Sequence, residues 1–97
     1  MPTLNEIQEA HNRIKSFIHT TPVLTNSSLN DLANAELYFK CENFQKAGSF
    51  KIRGASNTVL QLSKEELKRG VATASSGNHG AALSMAVTNL GGITKVV

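Results

Sequence analysis

The stretch that most constrains this chain is residues 71–97. A short apolar run, VATA (71–74), leads into a turn of small and polar residues, SSGNHG (75–80). A helical pattern follows at 81–90, then a Gly91-Gly92 stop and a second apolar run at 93–97. Short β-compatible runs on either side of a helix predict a strand-helix-strand unit, since a helical crossover returns the chain to the end it started from and sets the two strands parallel. Such crossovers are nearly always right-handed.

Upstream residues extend the alternation. Thr3 and Glu6 have the spacing of a capping box, and Ile7, Ala10, Ile14, Phe17 and Ile18 recur at helical intervals until Thr21-Pro22. Val23-Leu24 reads as an apolar link, and Ser27 or Ser28 can cap a brief helix through Leu29, Leu32 and Ala33. Residues 36–42 (ELYFKCE) alternate at Leu37, Phe39 and Cys41, which predicts a strand. A polar connection at 43–48 precedes a helix over 50–62, with Ser49 as its cap and Ile52, Ala55, Val59 and Leu62 on one face. Ser63 and Glu66 form a second capping box, and Gly70 suits the end of that helix. Strand, helix, strand, helix, strand predicts an α/β fold with an open parallel sheet and flanking helices. The final strand has no helix after it, so the 97 residues are expected to be a fragment.

Composition narrows the functional classes. With 40% hydrophobic and 18% charged residues the chain is in the globular range. Its ten Lys and Arg give a formal charge of +3 but are dispersed, without the basic block or interleaved aromatics of a nucleic-acid binder. No apolar stretch is long enough to span a bilayer, and Met1-Pro2-Thr3 opens directly on the first helix, so a cytoplasmic protein is expected. The single cysteine, Cys41, cannot close an internal disulfide and is expected to be a buried thiol in a reducing compartment.

Two segments can carry chemistry. In FQKAGSFKIRGA (44–55), Lys51 stands within a turn of a helix start, after the aromatic Phe50. A nucleophilic lysine must shed its proton, and burial and the positive end of a helix both favour the neutral amine. An ordinary solvated helix lysine is the competing reading. The turn 75–80 lies at the strand-to-helix edge, where unpaired amides can receive a carboxylate or phosphate. Read alone it is first of all a strand-to-helix turn capped by serine or asparagine. Ser76 lacks the frame of a nucleophile elbow, the phosphate-binding glycine motifs are missing, and His11, His19, His79 and Cys41 lack metal-ligand spacing.

Together, KCENFQKAGSFKIRGA (40–55), SSGNHG (75–80) and TPVLT (21–25) resemble the serine racemase and serine/threonine dehydratase (threonine ammonia-lyase) family of fold-type II pyridoxal-phosphate enzymes. The likeness covers essentially the whole chain. It implies the N-terminal part of the tryptophan synthase β-like fold, with residues 1–69 in the large domain and 70–97 opening the small one. It implies that Lys51 is the Schiff-base lysine, with Phe50 and Asn78 against the cofactor. Ser75, Ser76, Gly77, Asn78 and His79 would hold the substrate carboxylate, and Ser76 would face Lys51 across the cofactor. Racemisation and loss of the β-hydroxyl are then two outcomes at one site. The resemblance implies a full-length homodimer acting on free amino acids, and some members of the family take Mg2+ and ATP as effectors. Lys46 and Ser27 match positions of that nucleotide site, whereas Ala47 stands where a hydroxyl residue is found.

The cofactor's phosphate loop, the residue facing the pyridine nitrogen and the metal-binding acids of this family lie beyond position 97. The competing expectation is therefore a non-catalytic fragment or pseudoenzyme that associates with a full-length relative. A small α/β binding domain unrelated to amino acids is a third. The residues present do not select among serine, threonine and hydroxyaspartate, nor between racemase and dehydratase.

Overall fold

The computed structural model describes residues 1–97. Five helices and four short strands follow in the order α1 (Leu4–Ile14), β1 (Val23–Leu24), α2 (Ser27–Ala33), β2 (Phe39–Lys40), α3 (Lys51–Val59), α4 (Lys64–Arg69), β3 (Val71–Thr73), α5 (Asn78–Asn89) and β4 (Thr94–Val96). Single turns of 3-10 helix at Glu42–Phe44 and Lys46–Gly48 bridge β2 to α3.

The core lies between α3 and α5. Ile52, Ala55 and Val59 of α3 occupy one face at helical spacing and meet Ala82, Leu83, Ala86 and Val87 of α5. Ile52, Val59 and Val87 are fully enclosed, and alanines at the contact let the two backbones approach closely. Ile18, Leu62, Leu67, Val71 and Leu90 close the margins.

β3 and β4 pair in parallel, with Val71 opposite Thr94, Ala72 opposite Lys95 and Thr73 opposite Val96. Bonds from Val71 N to Ile93 O and from Ser75 N to Val97 O, both 2.9 Å, extend the ladder. α4 ends at Gly70, whose φ of 88° turns the chain into β3. A Cβ there would lie 3.2 Å from the Ile93 carbonyl oxygen, so glycine meets two requirements at once.

The α/β class and the parallel strand-helix-strand unit are as the sequence predicts. Both capping boxes form, at Thr3 with Glu6 and at Ser63 with Glu66. Several local details differ. The Val23-Leu24 link is a strand, and it pairs antiparallel with β2 (Val23 with Lys40, Leu24 with Phe39) in a ribbon separate from β3 and β4. β2 is only two residues long and exposed, because only Phe39 and Lys40 find backbone partners on β1. α1 stops at Ile14. Phe17 and Ile18 lie beyond it in a turn yet stay half-buried, so their spacing reflects burial rather than helix. Asn26 caps α2, its side chain accepting from Leu29 N at 2.9 Å, in place of Ser27 or Ser28. Ser49 does not cap α3; its hydroxyl is buried without a hydrogen-bond partner, and Phe50 occupies the cap position. α3 ends at Val59, and Leu62 joins the core from the turn beyond. Cys41 is half-exposed rather than buried, its Sγ donating to Phe39 O at 3.4 Å. No helix is long and apolar enough to cross a membrane.

Candidate functional site

Lys51 is the first residue of α3, and the segment before it is held by side chains. Ala47 and Gly48 take consecutive left-handed conformations (φ 60° and 71°), reversing the chain so that α3 starts immediately after. The buried Gln45 anchors this reversal. Its Oε1 accepts from His19 N at 2.8 Å and Lys46 N at 2.9 Å, and its Nε2 donates to His19 O at 2.8 Å. On the other side of Lys51, Arg53 donates from Nε and Nη2 to the two carboxylate oxygens of Glu42 at 2.8 and 2.7 Å. Thr21 Oγ1 adds a 2.6 Å bond to Glu42, and Lys40 Nζ donates to Thr21 O at 2.7 Å. The Arg53 hydrogen bonds hold the Glu42 carboxyl down at about 2, against an opposing effect of burial.

A cleft of about 580 Å³ opens along α3. Phe50, Lys51, Gly54 and Thr58 line one side, and Ala72 and Thr73 of β3 with His79 and Leu83 of α5 line the other. Lys51 is exposed, with Nζ 5.0 Å from the centroid of the Phe50 ring. The burial expected around this amine is not supplied by residues 1–97; its place at a helix N-terminus is.

The second motif also departs from its predicted shape. α5 begins at Asn78 rather than 81, because the Ser75 hydroxyl accepts from Gly77 N at 3.3 Å and Gly80 N at 3.1 Å and so caps an earlier turn. Asn78, His79 and Gly80 are therefore helical. The amides of Ser76, Asn78 and His79 have no acceptor, which leaves three donors at the positive end of α5 for an anion.

Of the residues singled out from sequence, Lys51, Phe50 and His79 meet at the cleft. Ser75, Ser76, Gly77 and Asn78 form the adjoining turn but do not line it. Ser76 and Asn78 point no side-chain hydrogen bond at any other residue, and both are exposed. Lys46, in the loop before α3, and Ser27, on α2, also lie outside the cleft lining. Sequence reasoning missed Thr58 and Thr73 on the cleft wall and the Thr21, Glu42, Gln45 and Arg53 network. The one available signal for that network was Arg53, a cation on the helix that supplies the core.

Residues 14–97 match the family model described as pyridoxal-phosphate dependent enzyme. A serine racemase of Dictyostelium discoideum is 66% identical over 84 residues, covering 87% of this chain and 26% of the relative. The solved maize serine racemase matches with a TM-score of 0.91 at 45% identity, over 96% of this chain and 29% of that one. A solved T.th. threonine deaminase matches with a TM-score of 0.88 at 39% identity, over 99% of this chain and 33% of that one. The chain thus spans between 26% and 33% of the length of these three proteins.

Proposed function

Since the chain belongs to the pyridoxal-phosphate dependent enzyme family, matched over residues 14–97, we propose that it carries the reactive lysine of a racemase or ammonia-lyase acting on L-serine and L-threonine. The activity is proposed for a protein in which this segment is joined to the rest of the relatives' length. One observation supports the reading above the others: Lys51 at the head of α3 and His79 of the SSGNHG turn share one cleft.

The residues present fit the cofactor. An aldehyde needs an accessible primary amine, and Lys51 Nζ is exposed at the cleft with no carboxylate paired to it. An anionic group on cofactor or substrate needs donors, which the free amides of Ser76, Asn78 and His79 offer. Phe50 and Asn78 are the proposed neighbours of the cofactor, and residues 75–79 the proposed carboxylate grip. When bound, pyridoxal phosphate supplies the electron-withdrawing ring that makes the amino acid's α-hydrogen acidic.

The chain's own groups then handle protons. Lys51 removes the α-proton of the L-substrate as general base. Return of a proton from Ser76 on the opposite face gives the D-amino acid. Departure of the β-hydroxyl as water instead releases an aminoacrylate, which takes up water and hydrolyses to a keto acid and ammonia. Residues 1–69 as part of a large domain, 70–97 as the start of a small one, and a homodimer of the longer protein belong to the same proposal.

Borohydride reduction of the cofactor-loaded protein tests it. Peptide mapping should find the pyridoxyl label on Lys51, and Lys51→Ala should abolish both label and turnover. A label on another lysine, or undiminished turnover in Lys51→Ala, contradicts the reading.

A further inference from the structure

We propose that Gln45 and the Glu42–Arg53 ion pair are positioning residues that fix the direction in which Lys51 leaves the head of α3. This inference rests on the reading of Lys51 as the reactive amine.

The segment that delivers Lys51 has little backbone order of its own. Two isolated 3-10 turns and two successive left-handed residues, one of them Ala47, separate β2 from α3. Such a path persists only where its surroundings determine it. Gln45 is 4% exposed and engages the backbone of His19 through both its amide N–H and its carbonyl, 26 positions away in sequence, while also accepting from Lys46 N. It ties the start of the reversal to a distant strand of chain much as a ladder partner would.

Glu42 works from the other end. Its two oxygens receive the fork of Arg53, a bidentate geometry that fixes orientation as well as distance. Thr21 and, through the Thr21 carbonyl, Lys40 complete the anchor. Lys51 lies between the two anchors, six residues after Gln45 and two before Arg53, and neither touches its amine. An apolar side chain at 45 would leave the His19 N–H and carbonyl and the Lys46 N–H without their partner, so Gln45 fixes three backbone groups at once. The Glu42–Arg53 pair is partly exposed, with side chains 17% and 31% accessible, so its bidentate geometry rather than its burial orients the head of α3.

The test uses the active, cofactor-loaded protein that carries this chain, with Gln45→Met and Glu42→Gln as the perturbations. Displacing a reacting group slightly costs much more in turnover than in substrate binding. Both variants are expected to keep the borohydride label on Lys51, to lose about tenfold or more in kcat per bound cofactor, and to hold KM within about twofold. Amide hydrogen exchange should rise about tenfold or more at residues 46–51, with residues 83–87 of the α5 core unchanged. Glu42→Asp, which retains the charge, should recover part of the kcat lost in Glu42→Gln. Unchanged kcat and exchange, with Lys51 labelled, would overturn the positioning role and leave the reactive-lysine reading intact. Exchange rising equally in the α5 core would also overturn it, as the residues would then be general stabilisers. A label on a different lysine in the unmodified protein would overturn both.

Discussion

Two helical glycines, Gly54 in α3 and Gly80 in α5, should respond to alanine in opposite directions. Within a helix, alanine is favoured over glycine by about 1 kcal/mol. At Gly54 an added Cβ meets nothing within 4 Å, so Gly54→Ala should realise that gain. At Gly80 it would sit 2.9 Å from Val96 Cγ1 and 3.3 Å from the Ser75 carbonyl oxygen. Overpacking of this kind costs about 1–3 kcal/mol, which outweighs the propensity gain and leaves a net loss of about 1 kcal/mol. The variants should thus differ by ~2 kcal/mol. Urea unfolding followed by circular dichroism should separate the two variants by that ~2 kcal/mol. Gly54 also lines the cleft, so its stabilised alanine variant should take up pyridoxal phosphate less well. If Gly80→Ala were as stable as Gly54→Ala or more so, the tight approach of α5 to β4 could not be the reason for glycine at 80.

The remaining predictions concern the core and the acid range. Ile52 is fully enclosed, so Ile52→Ala should cost about 2–5 kcal/mol in urea unfolding; a loss under about 1 kcal/mol would mean that the α3–α5 contact is not the core. Glu42 ionises at about 2 when folded against 4.5 as its ordinary value. Its contribution is therefore fully present above pH 4.5 and is lost as pH falls towards 2. Stability should drop by ~1–3 kcal/mol across that window and by less in Glu42→Gln, whereas parallel curves for the two proteins would remove the ion pair from the account.

Elements with their own end signals were readable from sequence. The capping boxes at Thr3 and Ser63 and the glycines at 70 and 91 specify where the chain must turn, and these boundaries hold to within a residue or two. Where the deciding partner is distant, the sequence is silent. Val23-Leu24 becomes a strand only because Phe39-Lys40, some fifteen residues on, lies beside it. For the candidate site, residue type and spacing single out the two motifs, whereas they do not single out the Gln45 and Glu42 anchors. Their partners are 26 and 11 positions away, and nothing in a local pattern distinguishes a polar residue in a loop from one buried against the backbone of another segment.

The joining of core and cleft explains how motifs so far apart in sequence come to meet at one cleft. Ala55 and Leu83 belong both to the buried cluster and to the cleft lining. The packing that holds α3 against α5 is thus the same packing that sets Lys51 opposite His79. Because close-packed interiors transmit small displacements rather than absorb them, a change at the α3–α5 contact must move one wall of the cleft relative to the other. Substitutions at Ala55 or Leu83 therefore cannot alter stability alone. A bulkier residue at either position would spread the walls and separate the Lys51 amine from the free amides at the head of α5, even where the fold survives.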